Sequence, residues 1–124
     1  MASAEQQLIK ATSDGFLETV EDLLRDNPAI NVNWRGGYSK TALHSASQKG
    51  HAGVVKLLLA HPAINANVQT DRGSTPFLCG CWNGSVPVMR VLLNDPRVNV
   101  TLAERDVGTP LWWASYKGRL QVIK

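Results

Sequence analysis

Residues 40–59 read KTALHSASQKGHAGVVKLLL and contain the signals for two consecutive helices. The Thr41 hydroxyl can cap the start of the first helix, and Gly50 can end it because glycine adopts a left-handed conformation at little cost. The apolar residues at 54, 55 and 57–59 then supply the buried stripe of a second helix. Pro62 follows and prevents that helix from continuing. This stretch therefore predicts a helix–turn–helix unit.

The capping threonine and the terminating glycine both recur along the chain. The threonines are Thr41, Thr75 and Thr109, and the glycines Gly50, Gly84 and Gly118, all at a step of 34 residues. Gly15 lies 35 residues before Gly50 and indicates one earlier unit. We interpret residues 1–124 as a single domain with full units at about 1–35, 36–69 and 70–103 and a truncated fourth at 104–124. One such unit cannot bury its own apolar stripe, so neighbouring units must stack.

A loop rich in turn residues follows each second helix, for example at residues 67–73, and is predicted to project as a hairpin. The order of helix, glycine, helix, proline and loop, opened by Thr-Pro-Leu at residues 109–111, resembles the ankyrin repeat. The resemblance covers nearly the whole chain. It implies a mainly α ankyrin-repeat solenoid of stacked helix-turn-helix units with projecting hairpin loops. Ser39 and Val107 depart from the family pattern, because they stand where the hairpin glycine is expected.

The two ends of the chain differ in polarity. The second helix of the first unit carries Glu18, Thr19, Glu21 and Asp22, as is typical of a terminal repeat with one face in water. At the other end, residues 122–124 stop one turn into a second helix without a polar cap. We therefore expect a fragment of a longer array. The alternatives are a short chain completed by a partner and self-association through the uncapped repeat.

Composition excludes several classes of protein. The chain has 124 residues, of which 44% are hydrophobic and 19% charged, an ordinary mixture that argues against disorder. No apolar run approaches the length of a membrane span, and no secretory signal is visible at the N-terminus. Cys79 and Cys81 lie two residues apart, a spacing that points them to different sides of a helix and disfavours a disulfide between them, and this favours a reducing compartment. We expect an intracellular protein, cytoplasmic, nuclear or both.

Chemistry-bearing motifs are missing from the sequence. Cys79 lies inside a predicted helix rather than in a strained turn, which is typical of a packed thiol. His51 and His61 lack the spacing of zinc ligands, and no glycine-rich segment has the lysine of a phosphate loop. We therefore expect no catalysis, no cofactor and no metal. His44 occupies the ankyrin histidine position, and the resemblance implies that its ring tethers neighbouring loops.

The resemblance also implies where a partner binds, namely the concave face formed by hairpin tips and first-helix ends. Transferred by position, the predicted partner-binding residues are Arg35, Tyr38, Lys40, Gln48, Lys49, Asp71, Arg72, Trp82, Asn83, Arg105, Asp106, Trp112, Tyr116 and Lys117. Exposed aromatic and arginine side chains are the usual affinity anchors. Trp82 and Tyr116 are 34 residues apart and so stand at equivalent sites of adjacent repeats. The alternative for both is that they only cover helix ends.

The leading hypothesis is a non-enzymatic module that binds a partner protein or peptide. One alternative is a regulatory or targeting segment of a larger enzyme, channel or ligase adaptor. Nucleic-acid binding is less favoured, because the basic residues after Trp34 are interleaved with acidic ones. Asn67, with Leu59 eight residues before it, resembles the loop asparagine that asparaginyl hydroxylase modifies in ankyrin proteins. Asn67 is therefore a candidate modification site.

Overall fold

The computed structural model describes residues 3–99. Over this range the chain forms three consecutive pairs of α-helices. Their bounds are α1 Ala4–Asp14, α2 Leu17–Asp26, α3 Ala42–Lys49, α4 Ala52–Leu59, α5 Pro76–Trp82 and α6 Val86–Leu93. One turn of 3-10 helix, Gly37–Ser39, lies in the loop between the first two pairs.

α3 and α5 begin at the threonines that the sequence pattern predicts, and α1 and α3 end at the predicted glycines, whereas the C-cap of α5 is Asn83, one residue before Gly84. The hydroxyl of Thr41 accepts from the His44 N–H at 3.4 Å, and that of Thr75 accepts from the Leu78 N–H at 3.2 Å. Each bond satisfies a backbone donor that has no partner within its helix. Gly50 follows α3 with φ of +79°, in the left-handed region that ends helices. The predictions for Thr41, Thr75 and Gly50 are confirmed.

Stacking of equivalent helices builds the solenoid. α1, α3 and α5 pack side by side as one layer, and α2, α4 and α6 form the second layer. The core between the layers is fully buried, with Leu43, Val55, Leu58, Leu78 and Val88 all at 0% exposure. Each such side chain contributes about 1.5–3 kcal/mol of burial free energy. The predicted mainly α solenoid is confirmed for the described units.

The loops between helix pairs are hairpin-like turns, and no strand is assigned within residues 3–99. In the second loop, the N–H of Thr70 donates to the carbonyl of Ser74 at 2.9 Å, and Gly73 supplies the left-handed turn residue. The first loop lacks that glycine. Tyr38 and Ser39 take the left-handed conformation instead, with φ of +60° and +59°. The turn therefore forms despite the sequence departure at Ser39.

Two asparagines connect successive loops. The Asn33 amide donates from Nδ2 to the Ala63 carbonyl at 2.8 Å, and its Oδ1 accepts from the Asn65 N–H at 2.7 Å. Asn67, one repeat later, makes the same pair of bonds to the loop that follows, also at 2.8 and 2.7 Å. These bonds fix the spacing of neighbouring loops.

The first unit has a mixed outer surface. Its four polar α2 side chains are exposed, as the sequence predicts for a terminal repeat. Phe16 and Leu17 beside them are also exposed, at 58% and 39%, which the sequence reasoning missed. In the next unit, His51 occupies the position of Phe16 and hydrogen-bonds the Ser13 carbonyl of the first unit at 3.1 Å. Across the described part of the chain, no helix is long and apolar enough to span a bilayer.

Candidate functional site

A concave groove lies between the two described loops and the C-terminal ends of α3 and α5. Its volume is ≈ 380 Å³, near the lower end of the roughly 300–1,000 Å³ range of ligand pockets. The residues that line the groove are Tyr38, Lys40, Gln48, Thr70, Asp71, Arg72, Ser74, Cys79, Trp82 and Asn83. Most of these residues were predicted from the sequence, so the fold brings the central part of the predicted set together.

Hydrogen bonds between the loops hold the two sides of the groove in place. The Asp71 N–H donates to the Tyr38 carbonyl at 3.2 Å. The Ser39 hydroxyl donates to Asp71 Oδ1 at 2.6 Å, a short bond of the kind that a charged acceptor makes. These contacts join residues of different repeats, and therefore fix the distance across the groove.

His44 connects the base of the first loop to the second. Its Nδ1 accepts from the Thr41 N–H at 3.0 Å, and its Nε2 lies 2.9 Å from the Ser74 carbonyl oxygen. A ring with an acceptor at Nδ1 and a donor at Nε2 is the neutral tautomer. Burial lowers the pKa of His44 to about 4. The nearby positive charges of Lys40 and Arg35 also lower this pKa, whereas the hydrogen bonds of the ring to the backbone oppose the shift. The predicted tether between loops is confirmed.

Lys40 places a positive charge in the groove. Its side-chain Nζ donates to Gln48 Oε1 at 2.8 Å, and the residue is half-buried. The ammonium carries three N–H donors, and Gln48 occupies one of them. Within residues 3–99, no carboxylate forms an ion pair with Lys40. Its charge is therefore held near the groove by a neutral amide.

Two aromatic side chains are exposed at the groove. Trp82, at the end of α5, is 49% exposed, and Tyr38, at the tip of the first loop, is 80% exposed. Large apolar side chains in such positions are typical of binding surfaces rather than of core packing. Both side chains therefore lie exposed at the groove, and their role as binding anchors stays a prediction.

Two groove residues were missed by the sequence reasoning, namely Thr70 and Cys79. Thr70 and Ser74 are the paired ends of the second turn, and of these two the resemblance placed only Ser74 among the hairpin-tip positions. Cys79 is mostly buried, at 7% exposure, yet part of it lines the groove. Its spacing of three and four residues from Trp82 and Asn83 puts it on the same helix face, and this signal could have found it.

The remaining predicted residues are distributed elsewhere. Arg35 and Lys49 are exposed but do not line the groove. Asn67 has both ends of its amide engaged between loops, and its modification stays a prediction. The other predicted residues lie outside the described part of the chain: Arg105, Asp106, Trp112, Tyr116 and Lys117. No group of three metal-ligating side chains occurs among the described residues.

Comparison with known families adds one finding. A family model described as ankyrin repeats, in three copies, matches residues 8–102. The matched range contains nearly all of the three helix pairs and both loops of the groove.

Proposed function

Because this chain belongs to the ankyrin-repeat family, whose repeats generally serve as protein-interaction modules, we propose that it binds a partner protein or peptide in the groove. The proposed function is non-enzymatic: the groove positions and recruits a partner. The observation that carries the proposal is the pair of exposed aromatic side chains, Trp82 and Tyr38, in one concavity with the cation of Lys40.

Rigidity of the groove supports this proposal. Binding costs free energy when loops and side chains must become ordered. Here the loops are already joined by the Ser39–Asp71 and His44–Ser74 hydrogen bonds. An anchor such as Trp82, enclosed by a partner, can contribute about 2 kcal/mol or more. Two such anchors on a fixed surface suit a binding module.

The experiment compares capture of proteins from cell lysate by the parent chain and by a Tyr38→Ala/Trp82→Ala double variant. Phe16→Ala is the matched control, because it removes an exposed aromatic ring from outside the groove. A photo-crosslinking amino acid at Gln48 identifies proteins that touch the groove itself. Circular dichroism and thermal unfolding establish that all variants are folded.

We expect a protein that is captured and crosslinked by the parent, retained by Phe16→Ala and lost by the double variant. Equal capture by all three chains, with no crosslink at Gln48, would show that the groove is not the binding surface.

A further inference from the structure

Two cations line the groove, Lys40 and Arg72, and within residues 3–99 no carboxylate forms an ion pair with Lys40. Lys40 is half-buried, and its one described polar partner is the neutral Gln48. Two further cations flank this position: Arg35 acts with Lys40 on the buried His44 ring, and Lys49 follows Gln48 directly. Asp71 is the carboxylate among the groove residues. The local field therefore favours a negatively charged group on a partner.

Covering Lys40 has an energetic consequence. A partner that fills the groove removes water from the ammonium group, and an ion without water or a counter-charge is strongly destabilised. Gln48 compensates for only one of the three ammonium donors. A carboxylate on the partner would accept from the other donors and compensate for the lost water. A partner without a carboxylate would bind more weakly, because nothing would compensate for the removal of water from the Lys40 ammonium.

The other groove residues specify what accompanies that carboxylate. Trp82 and Tyr38 present apolar ring surface that is large enough to cover an aliphatic or aromatic side chain. Asp71 uses Oδ1 to accept from Ser39, and Oδ2 has no hydrogen bond within residues 3–99. A peptide N–H is the natural donor to that second oxygen. The groove thus offers Asp71 Oδ2 as an acceptor for a backbone N–H and the Lys40 ammonium as a partner for an acidic side chain. The two aromatic rings provide a surface for an apolar side chain.

We propose that the groove binds an extended peptide segment in which an Asp or Glu side chain pairs with Lys40 and a neighbouring apolar side chain packs on Trp82 and Tyr38. This inference rests on the proposed function and names its partner class. A nucleic acid fits less well, because a groove of ≈ 380 Å³ is small for a strand that carries a charge at each nucleotide.

The test is selection from a random peptide display library on immobilised full-length chain. Targets are the parent, Lys40→Glu, and Lys56→Glu as the matched control. Lys56 is an exposed residue of α4 outside the groove, so its reversal changes net charge by the same amount. Lys40→Gln is included as a milder change, and circular dichroism verifies folding of every target.

We expect the parent and Lys56→Glu to enrich peptides with an Asp or Glu beside an apolar residue, whereas Lys40→Glu enriches Lys or Arg at the acidic position. For a synthetic peptide from the parent selection, Lys40→Glu should raise Kd at least about tenfold, which corresponds to 1.4 kcal/mol. Lys40→Gln should raise it by a smaller factor, and Lys56→Glu should leave it within about twofold. Trp82→Ala should also weaken binding about tenfold or more.

Three results would overturn the inference. Peptides without an acidic residue that still depend on Trp82 would leave the proposed function standing but remove the acidic partner. An equal effect of Lys56→Glu and Lys40→Glu would show that net charge, not the groove, selects the peptides. If no peptide is enriched and mixed-sequence single-stranded RNA binds with a steep salt dependence that Lys40→Glu abolishes, both this inference and the proposed function fail.

Discussion

Acidification should destabilise the fold through His44. The ring is completely buried and neutral, with Nδ1 accepting from the Thr41 N–H and Nε2 donating to the Ser74 carbonyl. A second proton would go to Nδ1, which could then no longer accept from the Thr41 N–H. Burial further disfavours the charged ring and lowers its pKa from the ordinary 6.5 to about 4.

The sign and size of the effect follow from this difference in pKa. The unfolded chain binds the proton more tightly than the folded one, so stability rises with pH. The contribution is fully present above pH 6.5 and is lost as pH falls towards 4. The complete shift corresponds to roughly 3 kcal/mol, at about 1.4 kcal/mol per pKa unit. Between pH 7 and pH 5 the expected loss is about 2 kcal/mol.

Urea unfolding at pH 7 and pH 5 measures this loss, with His44→Gln as the reference chain. Gln cannot titrate, yet its amide can still donate towards Ser74. Glu5 and Asp95 have lowered pKa values, because Asn31 donates to Glu5 and Arg97 hydrogen-bonds Asp95, and both groups are present in the parent and in the variant, so their effects cancel in the comparison. The parent should lose about 2 kcal/mol more than the variant between the two pH values. An equal loss in both chains would refute the assignment, as would an NMR titration of the His44 ring near pH 6.5.

Three further predictions concern backbone and loops. Gly53→Ala should raise the free energy of unfolding by about 0.5–1 kcal/mol, because Gly53 is exposed inside α4 and has open space at its Cβ position. Gly50→Ala should lower the free energy of unfolding by about 1 kcal/mol or more, because its φ of +79° is unfavourable for a residue with a Cβ atom. Thermal unfolding of the two variants checks both signs. Gly80→Ala should lower the free energy of unfolding by about 1–3 kcal/mol, since the new methyl would lie 3.0 Å from Val88 Cγ1 and force α5 and α6 apart. An unchanged free energy of unfolding in denaturant would contradict this close packing. Asn67→Ala should remove two hydrogen bonds between loops and lower the free energy of unfolding by about 0.5–1.5 kcal/mol for each bond. Amide hydrogen exchange should increase in the loops that Asn67 joins and not in α1.

The helical framework was predictable because its signals are local. Thr41 and Thr75 cap helices through bonds to a residue three positions away, so sequence spacing alone identifies them. Repetition of the pattern then indicates stacking, since one unit has no other way to bury its stripe. The tether made by His44 was available only through the family resemblance, because its partner Ser74 lies 30 residues further along the chain.

Details of the groove were less predictable, because they depend on contacts across repeats. Lys40 and Gln48 are eight residues apart, and no local rule pairs them. Ser39 adopts a left-handed conformation that its residue type does not favour, held by its bond to Asp71 in the following repeat. Cys79 was correctly interpreted as a packed thiol, but its partial exposure to the groove depends on how far the second loop stands from α5.

The proposed binding in the groove depends on the stability of the fold through one loop. Ser74 lines the groove, and its carbonyl oxygen holds the buried His44 ring. Loss of that bond would free the second loop at the point where Asp71 and Ser39 set the distance across the groove. A ligand that binds the groove only in the folded chain would stabilise the folded chain, and with it the His44 contact. The groove residues and the tether that supports them therefore act as one unit, although His44 itself does not line the groove.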